Sequence, residues 1–430
     1  MSQKWVPYNN GSAVQEAIAM ANTLIDQGVK IIPMHQGAEE TMPEGTLEKF
    51  LEYKDKISSK YNPAKGHAAV NKSFAEFAGT FLGLPNDHCF VLQTNGRVGL
   101  GHAFDIVANQ YSTEKMNDLA TLVPGSRWPM VDSKANQARF GQMVEYDVIR
   151  GKIADNIIAA LKACPNIAAL YTNFPHNPTG LSSSQKEIAE IQKALDEINL
   201  DRSSKGQPPV VHIADDPYFM GLEQNESAPY FNSPYTGQFH MNGPTPSIHI
   251  ISLSKALGMA NPGTHGILMT HDDMAAKYQS FLTTDLGPSF CPDLMDQVAA
   301  LLSPDNHQGL RDHFAKIARK YEVNNKIFEG HLGSEVVDGD PGMTRVFRVP
   351  EDARNKRVKI SGQDLDIRTT RDVAAYIANT TGTILVAQAE NGEEKLIRAA
   401  LKAEDPDVIK EGSKAIACAL DDLKNAPPAP

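Results

Sequence analysis

Short apolar runs, each closed by a polar or turn-forming cluster, recur through the first two thirds of the chain. They are Phe90 to Gln93, Leu119 to Val123, Ile167 to Tyr171, Val210 to Ile213, Ile248 to Ile251 and Ile267 to Met269. Runs this short and continuous read as strands buried on both faces. Helical stretches lie between them, so the alternation from about 55 to 290 predicts an α/β fold with a mainly parallel sheet covered by helices. Upstream, Val14, Ile18, Ala21 and Ile25 recur at helical spacing behind a capping box formed by Ser12 and Gln15. That pattern predicts a helix that stops at Gly28 and packs through this stripe on the body of the protein. After about 300 the texture changes. Gly309 to Phe328 reads as a long helix, and shorter strands and helices follow up to Leu423, consistent with a smaller α+β domain. The basic stretch Arg354, Lys356, Arg357 and Lys359 reads as a solvated hairpin, and Pro427 to Pro430 as a frayed tail. The expected division is a large domain over 55–295, with 1–54 and 296–430 supplying an N-terminal segment and a small C-terminal domain.

The residues that close three of the strand-like runs add chemistry to this picture. Ile167 to Tyr171 leads to Asn177-Pro178-Thr179-Gly180, Val210 to Ile213 to Asp215-Asp216-Pro217-Tyr218, and Ile248 to Ile251 to Ser252-Leu253-Ser254-Lys255. Each alone has an ordinary reading as a turn, a strand end or a solvated lysine. Together they place an amide, a carboxylate, a phenol and an amine at the carboxyl ends of successive parallel strands, where such groups converge on one crevice. A site for pyridoxal phosphate (PLP) requires a lysine amine for a Schiff base, a carboxylate on the pyridinium nitrogen and hydrogen-bond donors at the ring phenolate. The three segments supply them in order.

From about Gly37 to the helix after Arg398, the chain resembles the fold-type I PLP enzymes, in particular the class I/II aminotransferase family. The resemblance implies the PLP-dependent transferase fold and a set of roles. Lys255 matches the Schiff-base lysine and proton carrier, Asp215 the partner of the ring nitrogen, and Asn177 and Tyr218 the donors to the ring oxygen. In Thr94-Asn95-Gly96-Arg97-Val98-Gly99-Leu100-Gly101, the residues Gly96, Arg97 and Val98 fall where the family anchors the cofactor phosphate, and Ser252 matches a phosphate-binding serine. Trp128 stands where an aromatic ring often stacks on the cofactor, with ordinary packing as the other reading. Tyr61 resembles the tyrosine that reaches the phosphate of the neighbouring subunit, which implies a homodimer with shared active sites. Gly37, Asn177 and Arg398 match substrate-binding positions, Arg398 as the bidentate grip on the α-carboxylate. Two departures stand out. Pro262-Gly263-Thr264-His265 replaces the family's Pro-Gly-x-Arg, which leaves His265 as either a phosphate contact or a core residue. Asp285 lies near the position where dicarboxylate-specific members carry an arginine.

Composition narrows the remaining classes. The 430 residues are 41% hydrophobic and carry a formal net charge of -11, which argues against the basic face that nucleic-acid binding needs. The four cysteines are scattered without metal-like or paired spacing, so a reduced, cytoplasmic setting and no metal are expected. The N-terminus lacks the apolar core of a signal peptide, and no run approaches the ~18 apolar residues of a membrane span. A transcription regulator would need a DNA-reading module ahead of the fold, where too little chain and no basic patch are found. A nicotinamide dehydrogenase is disfavoured because the glycines follow Gly-x-x-Gly-x-Gly and not the dinucleotide fingerprint. The expected function is amino transfer from an α-amino acid to a 2-oxo acid through PLP on Lys255. A PLP-dependent lyase, decarboxylase or replacement enzyme is the alternative, since one electron sink serves all these reactions.

Overall fold

The computed structural model describes residues 4–7, 13–37, 42–43, 68–84, 88–92, 96–111, 118–218, 241–259, 264–282, 292–339, 342–360, 362–388 and 395–430. The chain divides into a smaller unit of residues 1–37, 177–180 and 318–430 and a larger one of residues 38–176 and 181–317. This grouping assigns Pro292–Leu302 to the larger unit, whereas the sequence boundary falls at 295.

In chain order, helix α1 (Ala13–Asp26) and strand β1 (Ile32–Pro33) belong to the smaller unit. The larger unit then runs through α2 (Ala68–Leu82), β2 (Cys89–Leu92), α3 (Gly96–Ala108), β3 (Ala120–Pro124), α4 (Met130–Gln137), β4 (Gln142–Tyr146), α5 (Ile153–Ala163) and β5 (Ile167–Thr172). It continues with α6 (Gln185–Ser204), β6 (Val211–Asp215), β7 (Ser247–Ser252), α7 (Leu253–Ala256), β8 (His265–Met269), α8 (Asp272–Phe281) and α9 (Pro292–Leu302). Its strands form one seven-stranded sheet of order β2-β8-β7-β6-β5-β3-β4. Strands β7, β6, β5, β3 and β4 run parallel, while β8 is antiparallel to both β2 and β7. The mainly parallel sheet matches the sequence expectation, and the predicted strands fall within two residues of the observed ends.

The central strands form because they can be buried on both faces. Every residue of β3, β5, β6, β7 and β8 is buried, and the aliphatic side chains of one face join Phe104, Phe140 and Tyr278 in a single core. Strand β4 is an edge strand with exposed Gln142 and Glu145, so it lacks the apolar run that marks the other strands in the sequence. Helix α6 begins with a full capping box: the Ser184 hydroxyl accepts the Glu187 N–H, and the Glu187 carboxylate accepts the Ser184 N–H.

The smaller unit continues with the long helix α10 (His307–Leu332), whose first residues belong to the larger unit, followed by β9 (Thr344–Arg348), β10 (Lys356–Ile360), β11 (Gln363–Ile367), α11 (Thr370–Thr381), β12 (Thr383–Ile384), β13 (Val386–Ala387), β14 (Leu396–Ala400) and α12 (Pro406–Asn425). Strands β13, β14 and β9 form an antiparallel sheet, β1 pairs parallel with β12, and β10 and β11 form the expected basic hairpin. In that hairpin Arg357 pairs with Asp366 at 2.8 Å.

Two expectations are corrected here. Helix α1 buries Ala17, Met20, Ala21 and Leu24 and leaves Ile25 exposed, because this stripe meets Ala375, Ala378, Ile384 and Val386. The stripe is therefore rotated from the one the sequence suggested. The C-terminal tail is also ordered. Arg357 N–H donates to the Pro427 carbonyl at 2.8 Å and Ala429 N–H to the Asn355 carbonyl at 2.7 Å, adding the tail to the edge of the hairpin.

The turn from α11 into β12 depends on glycine. Gly382 has φ +75°, and a Cβ there would lie 2.1 Å from the Lys30 carbonyl oxygen. Gly382→Ala is expected to combine about 1–2 kcal/mol of left-handed backbone strain with that clash, and thermal unfolding should show a clear drop in Tm. An unchanged Tm would contradict the turn geometry.

Candidate active site

Three neighbouring parallel strands set the geometry of the larger unit's site. Register pairs Thr172 with Ala214 and Asp215 with Ile250, so β6 ends one residue beyond β5 and β7 two residues beyond β6, all at the same end of the sheet. Strand β7 ends at Ser252 and passes directly into α7, whose third residue is Lys255. The Ser252 hydroxyl caps this turn by accepting the Ser254 N–H at 3.3 Å. The Asn173 side chain ties the ends of β5 and β6 together by donating to the Asp215 carbonyl at 2.7 Å.

Asp215 is buried, and the Tyr171 hydroxyl donates to its Oδ2 at 2.9 Å. Among the described residues no cation bonds or pairs with this carboxylate. Burial pushes its pKa up to about 7; the Tyr171 hydrogen bond opposes the shift and the neighbouring Asp216 adds to it. A buried carboxylate in this condition fits a cationic N–H, which would offset the cost of removing it from water. Tyr218 lies in the turn that follows and is half-buried. Tyr171 was missed as a site residue because it reads as the last member of an apolar run. Only the structure shows that Tyr171 pairs across the ladder with Ile213, two residues before Asp215, so that the Tyr171 and Asp215 side chains fall on one face.

A second set of donors surrounds the start of α3. A Cβ on Gly96 would lie 3.8 Å from the Ser252 Oγ, so this hydroxyl sits beside the first residue of a helix whose leading N–H groups have no helical acceptors. Val98 is half-buried and Arg97 exposed, with the Arg97 guanidinium 5.7 Å from the centre of the half-buried Trp128 ring. His265 is fully buried, and its Nε2 would lie 2.7 Å from a Cβ on Gly99. Glycine at 99 thus makes room for the imidazole beneath the helix. His102 lies nearby and accepts or donates at 2.9 Å with the Tyr278 hydroxyl; burial first, then His265, pushes its pKa down to about 4. Ser12, Tyr61, Thr94, Asn95, Pro262, Gly263 and Asp285 lie outside the described residues.

The smaller unit contains its own polar cluster. Arg398 on β14 is buried, donating from Nη1 to the Asn177 Oδ1 at 2.8 Å and from Nη2 to the His35 carbonyl at 2.9 Å. Burial, then Lys402 and Arg398, pushes the His35 pKa down to about 4. Gly180 has φ +77°, and a Cβ there would sit 2.3 Å from the Thr344 carbonyl oxygen, so the last residue of Asn177-Pro178-Thr179-Gly180 must be glycine. Gly37 packs close to the same strand, with a virtual Cβ 3.3 Å from the Thr344 Cγ2. The structure therefore brings Asn177, Arg398, Gly37 and Gly180 into one unit, and Asp215, Tyr218, Ser252, Lys255, Gly96, Arg97, Val98, Trp128 and His265 into the other.

Comparison with known proteins shows the family. Residues 34–359 match the family described as aminotransferase class I and II. The chain belongs to this family. It is accordingly a PLP-dependent transferase; the Asp215 carboxylate suits a protonated ring nitrogen of that cofactor as acceptor, and the Ser252 hydroxyl and the N–H groups at the start of α3 suit its phosphate as donors. The structure is similar to the aspartate aminotransferase of Thermus thermophilus with maleate, at 16% identity and a TM-score of 0.72 over 95% of this chain and 97% of the other. It is also similar to a probable N-succinyldiaminopimelate aminotransferase, likewise from Thermus thermophilus (15%, TM-score 0.71, 95% and 100% covered), and to the alanine aminotransferase of Pyrococcus furiosus (16%, 0.71, 96% and 98%). A search of curated proteins finds no match. No helix among the described residues is long and apolar enough to cross a membrane.

The raised Asp215 pKa has a testable linkage. A carboxyl that prefers its neutral form in the folded state contributes stability below its unfolded pKa, and this contribution is lost as pH rises toward the folded value of about 7. Asp215→Asn should therefore raise the Tm of the cofactor-free protein near pH 8 and change it little near pH 4, while weakening PLP binding. Tyr171→Phe should weaken PLP binding by about 1.5–3 kcal/mol, the range for a hydrogen bond to a charged group. Fluorescence titration of PLP into each variant checks both.

Proposed function

We propose that the protein transfers an amino group between an α-amino acid and a 2-oxo acid, with PLP held covalently on Lys255. The observation that carries this reading is the buried Asp215 carboxylate, without a cation among the described residues, on the strand beside the one that leads into Lys255. Bound PLP supplies the electron sink for the bond broken at the substrate Cα. Asp215 would hold a proton at the ring nitrogen, while Tyr218 and Asn177 would donate to the ring oxygen. The Lys255 Nζ would take the proton from the substrate Cα and return it on the opposite step. Gly96, Val98 and Ser252 would bind phosphate through amides and a hydroxyl, with Arg97 or His265 as the candidate counter-ion and Trp128 beside the ring. The Arg398 guanidinium, positioned by Asn177 and the His35 carbonyl, would receive the substrate carboxylate near Gly37. The reading also carries a cytoplasmic homodimer in which Tyr61 serves the neighbouring site, a state that light scattering would test.

Borohydride treatment of the PLP-loaded protein should fix a pyridoxyl group on Lys255, located by peptide mapping; a label on another lysine would end the assignment. Lys255→Ala should abolish turnover, and Asp215→Asn should cost far more activity than Asp216→Asn. Oxo-acid formation from a panel of amino acids, without release of carbon dioxide or ammonia, separates amino transfer from decarboxylase and lyase chemistry.

The phosphate end yields a second test. If Arg97 is the main counter-ion, Arg97→Ala should weaken PLP retention at all pH values by about 1.5–3 kcal/mol. If His265 dominates, wild-type retention should fall as pH rises past the imidazole range and His265→Ala should remove that dependence. Loss in neither variant would leave the amides and hydroxyls as the phosphate donors.

A further inference from the structure

On the opposite face of β6 from Asp215, buried polar side chains form one continuous hydrogen-bonded chain. Strand alternation turns Asp216 away from its neighbour, and its Oδ2 meets His249 Nδ1 at 3.4 Å. His249 Nε2 lies 3.2 Å from Ser247 Oγ, which lies 3.2 Å from Thr270 Oγ1. Thr270 Oγ1 lies 3.1 Å from His271 Nδ1, and His271 Nε2 is 2.7 Å from the Gly243 carbonyl. The first four residues are buried and His271 is half-buried. The chain thus runs from the carboxyl end of β6 to the opposite end of the strands, where β7 begins and β8 ends.

Its direction follows from donor and acceptor chemistry. A carbonyl only accepts, so His271 Nε2 carries a hydrogen, and a neutral His271 then presents a lone pair on Nδ1. Burial lowers the His271 pKa, despite the Gly243 carbonyl and the charges of Asp272 and Asp273, and so favours this neutral form. Thr270 therefore donates to His271, Ser247 to Thr270, and His249 Nε2–H to Ser247. His249 is neutral too, burial pushing its pKa down to about 3. In this state its Nδ1 presents a lone pair, which Asp216 can meet only as the protonated acid; the ionised Asp216 that raises the Asp215 pKa belongs to the reversed chain.

We infer that Asp216, His249, Ser247, Thr270 and His271 form a proton relay that allows Asp216 to ionise when a protonated pyridine ring binds at Asp215. The step balances without another reactant. The Asp216 O–H bond breaks as an N–H bond forms at His249 Nδ1. His249 Nε2 gives its proton to Ser247 Oγ, Ser247 gives its own to Thr270 Oγ1, and Thr270 gives its own to His271 Nδ1. The products are an Asp216 carboxylate and a His271 imidazolium. Each link is then made in the reverse sense, while Ser247 N–H donates to Thr270 Oγ1 at 2.9 Å and His271 Nε2–H to Gly243 in both states.

The surrounding charges make this a two-state device. At the outer end, Asp272 and Asp273 favour the imidazolium, and His88 bonds Asp272 at 2.7 Å. At the inner end, the Asp215 charge opposes a second carboxylate until a cation arrives, and the His212 ring stands 6.3 Å from His249. The cofactor ring would supply that cation, so the inference rests on Asp215 as its partner.

Nitrogen-15 NMR of histidine-labelled protein near pH 7.5, stripped of cofactor and then loaded with PLP, tests it. Loading should shift the imidazolium-to-neutral ratio of His271 upward by about tenfold, one pKa unit. Thr270→Val, which removes the central hydroxyl, should abolish the response. Asp216→Asn, which keeps a donor toward His249 but has no proton to give up, should abolish it independently and carries the test if Thr270→Val does not fold. If the visible absorbance of lysine-bound PLP forms and His271 does not respond, the relay is overturned. A response that survives in either variant reflects through-space charge and overturns it equally. If that absorbance never forms, the Lys255 site itself fails and the relay falls with it.

Discussion

The buried carboxylate of Asp215 is the constraint around which the larger unit is organised. Removing a carboxylate from water costs several kcal/mol unless hydrogen bonds or a cation compensate. Here the compensation inside the protein is partial: one phenol donates to it, and its pKa remains near 7. Burial on both faces of β6 and β7 leaves the strand ends as the place to meet a ligand, which is where Asp215, Ser252 and Lys255 lie. The missing charge compensation is therefore a property of the fold, and it defines the kind of ligand that completes it. An anionic or neutral ring nitrogen would leave the cost in place.

The phosphate end obeys a different economy of charge. A buried imidazole resists protonation, as the depressed pKa of His102 shows beside His265, so a histidine in place of an arginine does not simply transfer a positive charge into this position. The geometry favours close approach over added charge: Gly96 keeps the helix start next to Ser252, and Gly99 lets the helix lie over His265. Arg97, at the surface, keeps its charge but shares its guanidinium with the Trp128 ring. The proposed site thus has strong oriented donors at its centre and a permanent charge at its rim.

Much of this was legible in the sequence because it is local. An apolar run followed by Asp215-Asp216-Pro217-Tyr218 or by Ser252-Leu253-Ser254-Lys255 carries its own strand, its own turn and its own chemistry. Features that depend on a distant partner were not legible. Strand β4 is defined by pairing with β3 more than by its own residues, the buried stripe of α1 is chosen by Ala375 and Ala378, and the C-terminal tail is fixed by the hairpin edge. Tyr171 and Asp215 are 44 residues apart, and only the β5 to β6 register joins them. The relay behind them needs three strands in register as well as the loop at Gly243.

Two adjacent buried aspartates would be a poor solution if both faced one cavity, since like charges at that distance raise each other's pKa. Extended backbone resolves the conflict by turning Asp215 and Asp216 to opposite faces of the sheet, and each face then meets its carboxylate differently. Asp216 is matched from within, by His249 and the hydroxyls that lead to His271. Asp215 is matched only in part, by Tyr171, and waits on a cation from outside the chain. The residual coupling between the two carboxyls, visible in the contribution of Asp216 to the Asp215 pKa, links these separate solutions. A charge that satisfies Asp215 changes what Asp216 can tolerate, so electrostatic coupling between adjacent residues joins the two faces of the sheet.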